Sequence, residues 1–190
     1  MNRIITKDLN SINHEVIMQA KQEVDLIHIP SLIPSNTGWD EFIAHSDFTT
    51  KNKEKTLDSP VKIINALQVW DDFFVAGYYV NEGNFFHQLQ DIFEKTASLY
   101  GRMPNGGCTL INFIGNQKTI PIHTDIRDSF LWQAIGTVEW RIYDKDDHTL
   151  PYQSLWVKPG DVLFVPSGIA HTVYCPDPRA AISIFYDKEQ

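Results

Sequence analysis

The sequence predicts an α+β fold that is mainly β: a helical N-terminal half buttressing a double-sheet jelly roll. Three observations lead there. Helical periodicity is confined to residues 1–107. From residue 108 short β runs alternate with turn residues, and they number eight, enough for two facing sheets. No internal repeat, heptad pattern or low-complexity tract interrupts the scheme. The 190 residues suit a single domain, 1–190, in which a helical and loop region (1–107) packs on a β core (108–187).

The elements follow in order. Residues 11–24, SINHEVIMQAKQEV, set Ile12, Val16, Ile17, Ala20 and Val24 at helical spacing, with Ser11 as the expected N-cap. Residues 25–38, DLIHIPSLIPSNTG, carry two prolines and a glycine and read as an irregular connection. WDEFIAHSD (39–47) fits a short helix, and the charged stretch 49–60 a mobile surface loop. QVWDDFFVAGYYVNEGNFF (68–86) is dense in aromatic residues, which suits a core between helix and sheet or one wall of a substrate cleft. The clearest helix is NFFHQLQDIFEKTASLYG (84–101), whose stripe is Phe85, Phe86, Leu89, Ile92, Phe93 and Tyr100; Gly101 suits its C′ position. Strands are expected near 108–114, 119–125, 129–135, 138–143, 153–157, 161–165, 171–175 and 179–186, broken by glycine, proline, asparagine and aspartate.

Composition narrows the function classes. No run of about 18 apolar residues is present, so no membrane span is expected. A net charge of −8 argues against nucleic acid as a partner, because phosphate backbones call for a basic surface. Cys108 and Cys175 are too few for a disulfide framework and are expected as reduced thiols. The N-terminus lacks the apolar stretch of a signal peptide, so a cytoplasmic domain is expected. Oligomeric state stays open, with a homodimer among the options.

His-x-Asp occurs twice, at His45-Ser46-Asp47 and at His123-Thr124-Asp125. Residues two apart diverge on a helix, so the first copy, in the 39–47 helix, cannot converge on one ion. On a strand they share a face, which favours His123 and Asp125, with Ile120 and Ile122 on the other side. His171 is the best third ligand: it follows GDVLFVPSGIAH, a strand, a tight turn and the opening of another strand. His14 and His87 lie on helices, His28 adjoins Pro30, and His148 sits in an acidic loop. Two imidazoles and one carboxylate make the facial triad that binds Fe(II) and leaves coordination positions open.

HTDIRDSFLWQAIGTVEWRIYD and LWVKPGDVLFVPSGIAHTV resemble the metal strand, the hairpin and the distal-histidine segment of the Fe(II)/2-oxoglutarate-dependent oxygenases, especially the JmjC and cupin-like hydroxylases. The resemblance covers about 108–187. It implies a double-stranded β-helix, a cupin-like jelly roll, with iron held by His123, Asp125 and His171. It also implies 2-oxoglutarate as cosubstrate and O2 as oxidant. JmjC hydroxylases take a lysine to hold the cosubstrate from the strand after the hairpin glycine; that position is Val138 here. Another branch uses an arginine on the last strand, which Arg179 matches. Arg179, Ala181, Ser183 and Phe185 share a face, and a guanidinium fork suits a carboxylate. Ser183 and Asn112, the latter similar to a cosubstrate-contacting asparagine of the AlkB type, complete the expected contacts. Trp132 or Gln133 also lines the cavity, depending on register.

The expected reaction is hydroxylation or oxidative demethylation of a peptide side chain or small metabolite. The rivals are a cupin metalloenzyme that does not use 2-oxoglutarate and a non-enzymatic cupin binding module.

Overall fold

A computed structural model of the protein describes residues 3–42, 61–62, 68–70, 73–80, 87–112, 117–118, 121–144 and 146–187. Its elements are β1 (Ile4–Thr6), α1 (His14–Glu23), β2 (Leu26–Ile29), β3 (Val61–Lys62), β4 (Gln68–Trp70), β5 (Phe73–Val80), α2 (His87–Tyr100), β6 (Gly106–Asn112), β7 (Gln117–Lys118), β8 (His123–Thr124), β9 (Asp128–Ile135), β10 (Val138–Tyr143), β11 (Gln153–Val157), β12 (Val162–Val165), β13 (Ala170–Cys175) and β14 (Arg179–Tyr186). Among the described residues the strands form two sheets. The larger runs β1-β2-β12-β9-β14-β6-β5-β3, with β4 on β5; the smaller runs β11-β10-β13-β7, with β8 on β13. Non-sequential neighbours such as β12 and β2, or β14 and β6, mark the jelly-roll winding, and the expected fold class holds.

The larger sheet has two buried faces. Phe130, Trp132, Phe164, Ile182, Ile184 and Tyr186 point to the helices, packing on Ile17 of α1 and on Leu89, Ile92 and Phe93 of α2. Leu131, Leu163 and Ala181 alternate with these residues and face the smaller sheet, meeting Val138, Trp140, Ile142, Val173 and Cys175. The helices therefore carry one core and the space between the sheets another. No helix among the described residues is long and apolar enough to cross a membrane.

The structure departs from the sequence reading in several places. The 1–107 region is not only helix and loop, since β1, β2, β3, β4 and β5 all join the larger sheet. The 25–38 stretch opens with β2, all four residues of which are buried. A strand covered on both faces shows no alternation, and prolines follow it, so it reads as a loop. Its one polar ring, His28, donates from Nε2 to Asp161 at 3.1 Å. The Asp161 carboxylate also accepts from the amides of Ser31 at 3.0 Å and Lys158 at 2.9 Å. The Pro-Gly-Asp stretch thus fastens β2 to the turn before β12. Burial raises the Asp161 pKa, but these hydrogen bonds outweigh it and hold the carboxyl below its usual range.

Ser11 is not the cap of α1. Asn13 is, accepting from the Val16 amide at 3.0 Å, because Ser11 is engaged in a turn with Asp8. Gly101 does end α2, with φ +89 and its amide donating to Ala97 at 2.8 Å; a Cβ there would lie 2.7 Å from the His14 ring. The expected strand 119–125 shrinks to β8, and Asp125 lies just beyond it. Residues 39–42 are helical. The His45-Ser46-Asp47 copy, the 49–60 loop and the side chains of 68–86 lie outside the described residues.

Candidate active site

Two turns bring the His-x-Asp segment to the distal histidine. β8 pairs antiparallel with β13, setting His123 opposite His171. The Gly168 amide donates to the Asp125 carbonyl at 2.9 Å, and the Ser167 amide to the Asp128 carboxylate at 2.8 Å. The turn before His171 is thereby tied at two points to the chain that follows His123. Asp128 also accepts from the Tyr100 hydroxyl at 2.7 Å and lies 3.1 Å from the Lys21 ammonium, so α1 and α2 brace the same turn. Burial raises the Asp128 pKa, but the bonds from Ser167, Tyr100 and Lys21 outweigh it and depress the carboxyl.

The ligand atoms of His123, Asp125 and His171 all lie within 4.8 Å of one another. Each imidazole donates from Nδ1 to a backbone carbonyl two residues back: His123 to Pro121 at 2.8 Å, His171 to Ile169 at 3.0 Å. A carbonyl can only accept, so both Nδ1 atoms carry a proton, which leaves Nε2 of each neutral ring as the lone-pair position. Those Nε2 atoms stand 3.8 and 3.9 Å from the two oxygens of Asp125, too far for hydrogen bonds. Two imidazoles and one carboxylate thus converge, and pinned Nδ1 protons are how metal-binding histidines are oriented. The residues present fit a divalent ion. Burial depresses the His171 pKa, Asp125 offsets this in part, and His123 adds to it, so His171 is neutral, as a ligand must be. His171 is buried while the Asp125 side chain is 44% exposed, so the cluster opens to solvent on the Asp125 side.

Deeper between the sheets lies a polar cradle. Arg179 pairs in register with Asn112, and its Nε donates to Asn112 Oδ1 at 3.0 Å. Cys175 Sγ reaches the same oxygen at 3.7 Å. Both side chains are buried, Arg179 at 1% exposure, and Asn112 Nδ2 has no hydrogen-bond partner among the described residues. Burial pulls the guanidinium down from its ordinary value, and the neighbouring thiol of Cys175 opposes this. A buried cation beside an orphaned amide N–H suits an incoming carboxylate. Gly136 backs the cradle: at φ +74, a Cβ there would stand 2.3 Å from the Pro178 carbonyl and 3.1 Å from Arg179 Cα. Val138 is fully buried, and Arg141 turns outward to Glu139 at 2.6 Å, so neither supplies a second cation.

Gln133, not Trp132, faces the space between the sheets. Trp132 points to the helix-side core and donates to the Ile33 carbonyl at 2.9 Å. Ser183 lies on the cradle face, but four residues beyond Arg179. It lines, with Asp125, Cys108, Ser129, Arg127 and Phe185, a cavity of about 330 Å³. Arg127 in that wall is held by Asp187 at 2.6 Å and lies 4.5 Å over the Phe185 ring. Burial pushes the Cys108 thiol up to about 12, with the charge of Asp125 adding to it. Asp128, Trp140 and, in this cavity wall, Cys108, Arg127 and Ser129 escaped the sequence reading as site residues. Trp140 alone left a signal, sharing the inward parity of Val138.

No curated protein matches the chain by sequence. Among solved structures it is similar to the ribosomal oxygenase YcfD of Escherichia coli, with 14% identity and a TM-score of 0.53 over 87% of this chain and 49% of that one. A structure of YcfD in complex with cobalt and 2-oxoglutarate matches with a TM-score of 0.52, 14% identity, and 87% and 48% coverage. The chain thus spans about half the length of YcfD. A 2OG-Fe(II) oxygenase family oxidoreductase from Burkholderia pseudomallei matches over 97% of this chain and 95% of that one, with a TM-score of 0.55 and 11% identity. At these identities the likeness is one of fold. The family model for the JmjC domain matches residues 86–190, more than half of the sequence. The chain belongs to the JmjC domain family.

Proposed function

We propose that this protein is an Fe(II)- and 2-oxoglutarate-dependent oxygenase that hydroxylates or oxidatively demethylates a peptide side chain or a small metabolite. One observation carries the reading: His123, Asp125 and His171 aim three lone-pair donors at one point, in the same inter-sheet space as the Arg179–Asn112 cradle. In this reading the triad holds Fe(II). Arg179 receives the far carboxylate of 2-oxoglutarate through its guanidinium, and Asn112 Nδ2 donates a further hydrogen bond. When bound there, Fe(II) would couple the oxidation of 2-oxoglutarate by O2, to succinate and carbon dioxide, to oxidation of the substrate. The chain's own part is to fix both histidine tautomers, to neutralise the cosubstrate's charge and to keep water from the cradle.

The cavity beside Asp125 supports a side-chain-sized substrate, as its volume of about 330 Å³ is near the lower end for ligand sites. Likeness to a ribosomal oxygenase supports a protein substrate. A net charge of −8 supports a protein or metabolite over bare nucleic acid. The free thiols Cys108 and Cys175 support a reducing, cytoplasmic setting.

The test is succinate release from 2-oxoglutarate by protein loaded anaerobically with Fe(II) and then exposed to air. Wild type is expected to turn over and His123→Ala to be inactive. Undiminished turnover by His123→Ala sinks the triad. Equal 2-oxoglutarate affinity in wild type and Arg179→Met, measured by calorimetry with Mn(II), sinks the anchor. Metal uptake with no 2-oxoglutarate binding at all indicates a cupin metalloenzyme of another kind.

A further inference from the structure

Trp140 is an unexplained polar side chain on the inner face of the smaller sheet. Its ring is 3% exposed, and its indole Nε1 is buried with no hydrogen-bond partner among the described residues. A buried donor left unpaired costs about 1–3 kcal/mol, so the position calls for an acceptor. Nothing in apolar packing requires indole there, as Val138, Ile142 and Val173 around it are aliphatic.

Strand register says where the Trp140 residue lies. Along the inner face of β13 come His171, then Val173, then Cys175, each pair of steps advancing about 6.6–6.8 Å. His171 belongs to the triad, and Cys175 touches the Asn112 oxygen that Arg179 holds. Trp140 is paired with Val173, the step between them. Its ring also lies flat on His171, with centroids 4.7 Å apart and planes 18° apart. A molecule bridging the triad and Arg179 must therefore pass the Trp140 row.

We propose that Trp140 is a contact and positioning residue for the cosubstrate, its indole N–H donating to the dicarboxylate between the triad and Arg179. The inference rests on the oxygenase reading. It adds a second role, because the same ring seats His171: one face orients a triad imidazole while the N–H reads the acid. The acid so recognised bears acceptor oxygens at both ends: a keto-acid end at the triad, beside the Trp140 ring stacked on His171, and a terminal carboxylate at Arg179.

The experiment uses the full chain with Zn(II), which is diamagnetic and does not oxidise the cosubstrate. In ¹⁵N-labelled protein the five tryptophans, Trp39, Trp70, Trp132, Trp140 and Trp156, each give one indole N–H resonance, and Trp140 is assigned by its loss in Trp140→Phe. Adding 2-oxoglutarate to the Zn(II) protein is expected to shift the Trp140 N–H downfield. Trp140→Phe, which keeps the stack on His171, is expected to weaken 2-oxoglutarate roughly tenfold while leaving Zn(II) affinity and melting temperature near wild type. A bound 2-oxoglutarate that leaves the Trp140 resonance unmoved, or equal affinity in Trp140→Phe, overturns this inference alone. A wild-type protein that takes up Zn(II) but no 2-oxoglutarate overturns the oxygenase reading and this inference with it.

Discussion

Asp128→Asn is the sharpest probe of how the site is held. In the wild type one carboxylate oxygen accepts from the Ser167 amide at 2.8 Å. The other accepts from the Tyr100 hydroxyl at 2.7 Å and faces Lys21 Nζ at 3.1 Å. Asparagine keeps an oxygen for Ser167 but turns charge-assisted bonds of about 1.5–3 kcal/mol into neutral ones of about 0.5–1.5 kcal/mol. Lys21 is 36% exposed on its side chain, so losing its ion pair adds at most about 1 kcal/mol. The expected loss is about 2 kcal/mol by urea denaturation at pH 7. Asp128→Ala, which also strands the Ser167 amide, should lose about 4 kcal/mol. Acid supplies the internal check. The folded-state pKa of Asp128 is depressed, so its contribution is present above the unfolded pKa near ~3.9 and fades as pH falls through the folded value. The gap between wild type and Asp128→Asn should therefore close in strong acid. A variant within about 0.5 kcal/mol of wild type at pH 7, or a gap unchanged at about pH 2, refutes this account.

Mn(II) at a hundredfold excess over its Kd should stabilise the wild type by about 2.7 kcal/mol, or some 5–10 °C in Tm, by calorimetric melting. Asp125→Ala should remove that shift without lowering the metal-free Tm. Gly136→Ala forces a Cβ to 2.3 Å from the Pro178 carbonyl at φ +74, so it should cost at least about 2 kcal/mol and weaken 2-oxoglutarate by displacing Arg179; both are read by melting and calorimetry. With its thiol pushed up to about 12, Cys108 should hold about one part in ten thousand as thiolate at pH 8 and resist iodoacetamide until the protein unfolds, as mass spectrometry of the alkylated chain reports.

The β half was legible because turn residues bound its short apolar runs, even where, as in β9 and β12, burial on both faces leaves no alternation. β10 and β14 match the expected limits, and Gly101 declared itself by ending an apolar stripe. His123, Asp125 and His171 were legible through parity and a distal histidine, although Asp125 reaches the cluster from just past β8 rather than within it. β2 was not legible, since burial on both faces erases its alternation and Pro30 and Pro34 close behind it give the stretch the look of a loop. Nor was the choice of Asn13 over Ser11, which depends on Asp8 capturing the serine in a turn. Asp128 looks like any surface acid, because its partners Lys21, Tyr100 and Ser167 are scattered over the chain. Trp140 was masked by its own bulk: an indole at an inward position reads as filler, and only the missing acceptor sets it apart.

The pairing of β8 with β13 also sets an order of maturation. His171 and Arg179 lie on β13 and β14, made after every other described strand, so neither triad nor cradle exists on a chain still short of them. The helix-side core also takes Ile182, Ile184 and Tyr186 from β14, and its apolar cluster includes none of the triad. Under the proposed reading, metal enters an assembled barrel and does not template it. Chelator added during expression should leave the yield of folded protein unchanged and only its metal content reduced.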